Sequence, residues 1–351
     1  MTVRCRRFAE NPLVTPEDIN PSRDDFYVTG VLNAGAFEFD GKFRWLVRVA
    51  EAPVQNDPTV VKVPYMDMTG HEPRMDYRTF RKDDPEIDFS DRRIVFAPGQ
   101  PYITNISYLR LAASDDGRNW TVEGANCLEP TDKYEQFGVE DPRIVFMEDK
   151  YLVTYSAISR HGVTSNLVTT TDWKTFTRHG PLFVPDNKDI AIFPEKVGGK
   201  YVAFHRPSVS MLGKPEMWMA VSDDLISWGR HECIMEVRPG KWDSARIGCG
   251  PAPIRTEKGW LEIYHGSDDN AYYLGACLLD LEDPYKVIAR SDEPILAPEE
   301  PYEKEGFYDN AVFSNGQIVR PDGTIWIYYG AADRVMAGCE ITIDELLRSL
   351  V

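Results

Sequence analysis

Paired cysteines and long apolar runs are missing from this 351-residue sequence, and each absence excludes a class of protein. The six cysteines are scattered without a CxxC pair, so neither a zinc ribbon nor a disulfide framework is indicated, and buried thiols are expected. No run of about 18 apolar residues occurs, and the N-terminus has no apolar signal-peptide core. We therefore expect no metal site and a cytoplasmic location.

Positive charge is also in short supply. The chain has 39 Lys and Arg residues against 56 Asp and Glu residues, which gives a formal net charge of -17. Nucleic acid and anionic membranes are therefore not expected as partners, because both are negatively charged. Any anion site must be a local cluster of basic side chains. With 42% hydrophobic residues, a chain of this length can bury the core of one large or two ordinary domains.

Helical periodicity is scarce, and strand-like runs replace it. "TIDELLRSL" at the C-terminus predicts a short helix with Thr342 as its N-cap. Elsewhere, runs rich in Val, Ile and aromatic residues end at Gly, Asp, Asn or Pro, with turns at hairpin spacing. The clearest strands are "FRWLVRVAE" (43–51), "YLVTYSAIS" (151–159), "YVAFHRPS" (201–208), "WLEIYHGS" (260–267) and "IWIYYGAAD" (325–333).

A weak internal repeat accompanies these strands. "AASDDGRNW", "TTTDWKTF" and "AVSDDLISW" each place a small or hydroxyl residue before Asp and end the turn with an aromatic residue. Ser114, Thr171 and Ser222 mark the repeat at separations of 57 and 51 residues. A period of about 50 residues of antiparallel strand favours the blades of a β-propeller. A β-sandwich that reuses one turn type is the alternative.

Several polar residues interrupt the strand pattern. In "GVEDPRI", Asp141 and Arg143 would point the same way if the segment were extended, and a plain salt bridge would explain them. The segment "DNKDIAIFPEK" could be a solvated loop before a strand. Arg206 ends a buried-looking strand and therefore requires an anionic partner. A glycine-rich turn with Gly248 and Gly250 would allow a ligand to approach the backbone closely.

Basic side chains recur at strand ends or turns of successive segments. They are Lys188, Arg206, Arg246 and His265. Each could be structural, and a lone histidine usually is, but a converging set is what phosphate or another small oxyanion requires. Asn33, Arg48, Asp309 and Asp333 lie among aromatic residues and would suit a sugar, although surface loops rich in Asp and aromatic residues look similar.

Taken together, the segments resemble glycoside hydrolase family 130, the β-mannoside phosphorylases and their hydrolytic relatives. The segments that carry the resemblance, in the family's order, are "ENPLVTPEDI", "VLNAG", "LVRVAEAPV", "GVEDPRI", "NKDIAIFPEKVGGKY", "HRPS", "WDSARIGCGPAPI", "IYHG", "GACLLDLEDPYKV", "EPILAPEEPYEKEG" and "YYGAAD". The first and third are most similar to the branch acting on β-1,2-mannobiose and short β-1,2-mannooligosaccharides. The resemblance implies one five-bladed β-propeller domain over residues 1–351, with a short C-terminal helix.

The resemblance also implies a mechanism. Asp141 would act as general acid, through a mannose hydroxyl, while inorganic phosphate attacks the anomeric carbon with inversion and gives α-mannose 1-phosphate. Phosphate is a co-substrate here, and no cofactor is implied. The family's phosphate-binding positions fall on Lys188, Arg206, Arg246 and His265. Its sugar-binding positions fall on Asn33, Arg48 and Asp333, with Arg143 holding Asp141. Some branches have Arg-Asn at Lys188-Asp189 and a serine at Ala34.

Other activities remain open at this stage. An inverting β-1,2-mannosidase would need a carboxylate base and no cationic pocket, a β-1,4-mannoside phosphorylase would share the same machinery, and a non-catalytic glycan-binding propeller would not need Asp141. The polar segment 65–89 reads as a long loop that covers the pocket or serves a dimer contact, and the sequence does not choose between these roles.

Overall fold

Short strands make up most of the chain, as the sequence pattern predicts. The computed structural model describes residues 3–209 and 211–350. The strands of the first half are β1 (Arg6–Arg7), β2 (Phe26–Phe39), β3 (Lys42–Pro53), β4 (Val60–Asp67), β5 (Arg74–Arg81), β6 (Asp88–Asp91), β7 (Ile94–Ala97), β8 (Gln100–Ile103), β9 (Ile106–Ser114), β10 (Thr121–Leu128), β11 (Gly138–Met147), β12 (Lys150–Ser159), β13 (Gly162–Thr170) and β14 (Thr177–Phe183).

The second half continues in the same way. Its strands are β15 (Asn187–Ile192), β16 (Tyr201–Pro207), β17 (Met217–Ser222), β18 (Trp228–Met235), β19 (Arg246–Cys249), β20 (Ile254–Thr256), β21 (Gly259–Ser267), β22 (Tyr272–Leu279), β23 (Val287–Arg290), β24 (Val312–Val319), β25 (Thr324–Ala331) and β26 (Val335–Thr342). The helices are a 3-10 turn (Pro16–Asp18), α1 (Pro301–Lys304) and α2 (Ile343–Leu350). The predicted all-β class is confirmed.

The main strands form groups of four. The groups are β2-β3-β9-β10, β11-β12-β13-β14, β15-β16-β17-β18, β19-β21-β22-β23 and β24-β25-β26-β1. A single parallel bridge between Gly138 and Ser107 joins the first two groups into one eight-stranded sheet. Strand β1 pairs with β26 at Arg6 and Glu340, so the N-terminal segment completes the last group.

Burial differs between the strands of a group. Strands β12 and β21 are buried almost throughout, whereas β18 is largely accessible to solvent. Strands covered on both faces read as continuous apolar runs, which explains why "YLVTYSAIS" and "WLEIYHGS" are the clearest strand signals. Between the last and first groups, Trp45 stacks on Trp120 with 3.5 Å between ring centroids, and Tyr328 packs edge-on against both.

One turn type recurs where the third strand of a group ends. Ser114, Thr170 and Ser222 each accept, at the side-chain oxygen, a hydrogen bond from a backbone N–H two or three residues later. The aspartate two residues further on accepts further backbone N–H groups, as side chains of this type do in tight turns. The predicted repeat is therefore present, but Thr170, and not Thr171, occupies the position equivalent to Ser114 and Ser222.

The C-terminal helix α2 begins as its sequence predicts. Glu345 N donates to Thr342 Oγ1 at 3.1 Å, and Thr342 N donates to Glu345 Oε2 at 2.8 Å. This reciprocal pair is a capping box, which satisfies backbone N–H groups at the start of a helix. Leu346, Leu347 and Leu350 then face the core.

The predicted long loop at 65–89 is wrong. Between β3 and β9, the chain forms a β4-β5 hairpin and a three-stranded β6-β7-β8 sheet. We call residues 54–105 the insertion. The loop prediction overlooked a short alternation in β5, where Met75 and Tyr77 are partly buried between the exposed Arg74, Asp76 and Arg78. Val63, Val95 and Tyr102 provide the small buried core of the insertion, together with Phe137 and Ile158 of the main body.

All six cysteines are thiols, four of them buried and two partly buried, which agrees with expectation. Within residues 3–209 and 211–350, no helix has the length and apolar character needed to cross a membrane.

Candidate active site

Three groups of strands use the same local device to direct a polar side chain. Asn33 in β2, Asp141 in β11 and Asp189 in β15 have left-handed φ angles of 50°, 55° and 52°. Each lies where its strand slips in register against the next strand. A β-bulge re-aims the side chain at that point, and Asn and Asp tolerate left-handed backbone better than most residues. The sequence therefore places amide and carboxylate groups at comparable positions in separate groups of strands.

Asp141 is held by side chains from a different group of strands. Asn33 Nδ2 donates to Asp141 Oδ1 at 2.9 Å, and Arg48 Nη1 donates to the same oxygen at 3.1 Å. Arg48 Nη2 donates to Glu140 Oε1 at 2.8 Å, and Arg48 Nε donates to Ser107 Oγ at 2.9 Å. Glu140 is not among the site residues predicted from the sequence. Its place beside Asp141 in a buried strand start was the available signal.

Asp333 completes the acidic side of the site. It follows β25 with a φ angle of 50°. Burial, together with the nearby charges of Asp141 and Glu140, raises its pKa to about 6, although Arg48 opposes the shift. Burial disfavours the charge of Arg48, but Glu140, Asp141 and Asp333 raise its pKa nonetheless. Arg48 is thus the cation around which three carboxylates are arranged.

Arg143 does not form the predicted salt bridge with the Asp141 carboxylate. The bulge at Asp141 breaks the alternation that would have pointed both side chains the same way. Arg143 Nη1 lies 3.3 Å from the main-chain carbonyl of Asp141, Nε donates to Gly250 O at 2.7 Å, and Nη2 donates to Asp189 Oδ1 at 3.2 Å. Arg143 therefore supports the Asp141 backbone while its charge is paired with Asp189.

Three of the predicted phosphate-binding residues, Lys188, Arg206 and His265, lie on β15, β16 and β21. Lys188 and Arg206 are register partners on β15 and β16. Arg206 Nη1 lies 2.9 Å from Asp189 Oδ2, which confirms that the buried arginine has an anionic partner. His265 Nε2 lies 3.1 Å from Arg206 Nη1 and 3.3 Å from Asp189 Oδ2. Burial lowers the pKa of His265 to about 4 despite Asp189, so the ring is neutral at pH 7.

The segment "DNKDIAIFPEK" was interpreted as a possible solvated loop. This interpretation is wrong for Asp189, which is buried in β15. The available signal was again positional: Asp189 directly precedes an apolar run, and Asp141 lies three residues before one, each in the first strand of a group.

The glycines after Arg246 serve packing within the protein. A Cβ atom on Gly248 would lie 2.6 Å from Asp189 Oδ2 and 2.7 Å from His265 Nε2. A Cβ atom on Gly250 would lie 2.2 Å from a backbone oxygen. We had expected these glycines to admit a ligand, but they admit the Asp189 and His265 side chains and neighbouring backbone. Arg246 itself is exposed, and its guanidinium lies 5.6 Å from the centre of the Tyr272 ring.

Most of the predicted site residues line one cavity of about 340 Å³. Those in its wall are Asn33, Arg48, Asp141, Lys188, Arg206, Arg246 and Asp333. Arg143 and His265 are buried behind the wall, in contact with Asp189. Asp309 is exposed and lies outside the cavity wall.

The remaining residues of the cavity wall were not predicted from the sequence. The insertion contributes Arg93, Ile94, Ile103 and Asn105, and the main body contributes Glu140, Asp189, Tyr272, Phe307, Tyr308, Ala311 and Phe313. A wall that combines carboxylates, amides, cationic side chains and aromatic rings can bind a sugar ring next to an oxyanion.

Comparison with known proteins agrees with this chemistry. A protein-family model for glycoside hydrolase family 130, described as beta-1,4-mannooligosaccharide phosphorylase, matches residues 98–350. A beta-1,2-mannobiose phosphorylase of Listeria innocua is 44% identical over 349 residues, covering 98% of each chain. A 1,2-beta-oligomannan phosphorylase of Thermoanaerobacter is 43% identical over 259 residues, covering 71% of this chain and 83% of the relative.

The fold leads to the same group of proteins. A solved structure of the Listeria innocua beta-1,2-mannobiose phosphorylase, in complex with beta-1,2-mannobiose, superposes with a TM-score of 0.94. The two chains are 43% identical, and the match covers 99% of each. The chain therefore belongs to glycoside hydrolase family 130.

Proposed function

We propose that the protein is a phosphorylase that cleaves β-1,2-mannobiose or short β-1,2-mannooligosaccharides with inorganic phosphate. The observation that carries the proposal is that one cavity joins Asp141 to the cations Lys188, Arg206 and Arg246. A proton donor and an anionic nucleophile can therefore meet the same sugar. The β-1,2 linkage is supported by the Listeria innocua relative, which is 44% identical over nearly the whole chain, although the family model is described with a β-1,4 linkage.

In the proposed reaction, Asp141 delivers a proton to the glycosidic oxygen by way of a mannose hydroxyl. The bond from the anomeric carbon to that oxygen breaks, and a phosphate oxygen bonds to the carbon from the opposite face. The products are α-mannose 1-phosphate and mannose or a shortened oligosaccharide. Phosphate arrives as an anion, so no protein carboxylate is needed as base, unlike in an inverting hydrolase. Asn33 and Arg48 fix the Asp141 oxygen that they contact.

The cation cluster would hold the attacking phosphate. Arg206 and Arg246 supply guanidinium groups, which match phosphate oxygens geometrically, and Lys188 adds a point charge. His265 would act from behind the wall through Arg206, which it contacts. The mannose ring would lie between this cluster and the group of Asn33, Arg48 and Asp333.

We further propose that the five groups of four strands form a five-bladed propeller of one domain. Two features support it. The first strands of the first four groups pack in succession, β2 against β11, β11 against β15 and β15 against β19, and β24 of the last group packs against both β22 of the fourth group and β2 of the first. Strand β1 would then close the ring by completing the last blade. In such a ring, the bulged residues of the first strands converge on one central cavity.

Phosphate dependence is the decisive experiment. Purified protein is incubated with β-1,2-mannobiose, with and without phosphate, and the products are separated by anion-exchange chromatography. We expect cleavage only with phosphate, yielding equal amounts of mannose 1-phosphate and mannose. Equal cleavage without phosphate, giving two mannoses, would identify a mannosidase instead. Parallel reactions with β-1,4-mannobiose test the linkage.

A further inference from the structure

Asp189 is a buried carboxylate at the centre of the cation cluster, with 2% of its surface exposed. Its Oδ2 atom lies 2.9 Å from Arg206 Nη1 and 3.3 Å from His265 Nε2. Its Oδ1 atom accepts a hydrogen bond from Arg143 Nη2 at 3.2 Å. Asp189 thus joins two predicted phosphate-binding residues to the arginine that supports the backbone of Asp141.

The surrounding backbone is built to accommodate this side chain. Cys249 Sγ donates to Asp189 O at 2.7 Å, and the left-handed φ angle of 52° turns the carboxylate inward. Gly248 leaves the space that a Cβ atom would take from Asp189 Oδ2 and His265 Nε2. Left-handed backbone at a non-glycine residue is held by its surroundings, and such positions cluster at functional sites.

A carboxylate in an anion-binding pocket repels phosphate. Asp189 must therefore improve phosphate binding in another way, which we identify as the orientation of Arg206. Asp189 occupies one end of the Arg206 guanidinium, through Nη1. Several buried side-chain atoms of the described residues lack a hydrogen-bond partner, and three of them lie here: Arg206 Nε, His265 Nδ1 and Asp189 Oδ2, whose contact with Arg206 is an ion pair. Buried polar atoms normally have partners, and in this cavity wall a phosphate oxygen is a suitable one for Arg206. Asp189 therefore holds Arg206 by one edge and leaves the rest for an anion.

We propose that Asp189 is a positioning residue for phosphate: it orients Arg206 toward the incoming anion, with His265 supporting Arg206 from behind the wall. Through Arg143, it also keeps Arg206 in register with Asp141. The proposal rests on the proposed phosphorolysis. Orientation outweighs repulsion because a misplaced guanidinium loses its directional hydrogen bonds, whereas the repulsion is partly cancelled by the cations around Asp189.

Steady-state kinetics of Asp189→Asn test the proposal, with phosphate and β-1,2-mannobiose varied in turn. The amide has nearly the same size, but its NH2 group must face a guanidinium in either orientation. We expect the KM for phosphate to rise by about tenfold or more, which corresponds to about 1.4 kcal/mol. The KM for mannobiose should change by less than about threefold, because Asp189 does not hold the sugar-binding residues. Asp189→Glu keeps the charge but moves it by one methylene. It should likewise raise the KM for phosphate more than the KM for mannobiose.

Glu135→Gln provides a matched control. Glu135 is a buried carboxylate paired with Arg178 at 2.9 Å and bonded to Tyr155 at 2.6 Å, outside the cavity wall. The Glu135→Gln variant should have a lower melting temperature than wild type. The ratio of its KM for phosphate to its KM for mannobiose should stay at the wild-type value. An unchanged or lower KM for phosphate in both Asp189 variants, or equal rises in both KM values, would overturn the proposal. If the wild-type enzyme itself cleaves without phosphate, the proposed function fails first, so the two failures are distinguishable.

Discussion

Arg48 Nη1 lies 3.1 Å from Asp141 Oδ1, and the same guanidinium places Nη2 at 2.8 Å from Glu140 Oε1. One arginine on β3 therefore fixes two consecutive carboxylates on β11, a strand of a different group. A planar guanidinium can do this because its donors have a fixed fork geometry, which an ammonium group lacks.

Arg48→Lys should therefore impair catalysis while retaining the positive charge. Lysine can pair with only one of the two carboxylates in a defined geometry, so Asp141 loses part of its orientation. We expect kcat/KM for phosphorolysis of mannobiose to fall by about tenfold to a hundredfold. Arg44→Lys, four residues earlier on the same strand, is the matched control and should remain near wild type. Equal kinetics of the two variants would contradict the role of the fork.

Asp141→Asn should abolish phosphorolysis without unfolding the protein. The amide can still accept the bonds from Asn33 and Arg48 but cannot supply a proton to the leaving oxygen. We expect kcat to fall by about a thousandfold, within the usual range for loss of general acid catalysis. Asp309→Asn changes an exposed acid beside the cavity and should retain activity. Circular dichroism of both variants checks the fold, and near wild-type turnover of Asp141→Asn would refute the assignment.

The strand pattern could be predicted from sequence because strands buried on both faces carry continuous apolar runs. "WLEIYHGS" and "YLVTYSAIS" are strands within about a residue of the expected bounds. The insertion was not predicted, because β5 is dominated by charged and exposed residues, and Met75 and Tyr77, which alternate with them, are only partly buried. Its strands are stabilised by pairing with each other and by a small shared core, which a single segment does not reveal.

The cavity residues were predictable where an unusual charge interrupted a strand, as at Asp141 and Arg206. The residue with which each charged side chain pairs could not be predicted. Arg143 is two residues from Asp141, yet it pairs with Asp189, which is 46 residues away, because the bulge at Asp141 reverses the expected side-chain direction. Register shifts of this kind leave no apolar pattern in the sequence.

Asp333→Asn should change the pH dependence of stability. The pKa of Asp333 is about 6 in the folded protein against an ordinary value of 3.8. The folded protein therefore loses stability as the pH rises from 3.8 to about 6, and the loss is complete above pH 6. The penalty disappears as the pH falls toward the unfolded value, and it is at most about 3 kcal/mol. The variant should therefore gain stability over wild type at pH 8, and the gain should shrink by pH 4.5. Urea unfolding at both pH values measures it, and a gain that is independent of pH would contradict the shift.

The insertion reaches across the cavity to the loop before β24. Arg92 donates a hydrogen bond to Phe307 O and lies 3.9 Å from the Asp309 carboxylate, while Arg93 lies over the Tyr308 ring at 5.9 Å. A second cavity of about 790 Å³ lies on the other side of this contact and shares Asn105 and Phe307 with the first. The contact therefore separates the proposed mannobiose site from additional space.

Arg92→Ala should open a passage between the two cavities and thereby favour longer substrates. We expect the ratio of kcat/KM for β-1,2-mannotriose to that for β-1,2-mannobiose to rise by about threefold, a modest change because exposed ion pairs contribute only about 1 kcal/mol or less. Arg81→Ala removes an arginine of the same insertion that pairs locally with Asp83 and lies outside both cavities, so its ratio should stay at the wild-type value. Equal ratios in both variants would show that the Arg92 contact does not limit substrate length. A lower ratio in Arg92→Ala would mean instead that Arg92 itself binds the longer substrate.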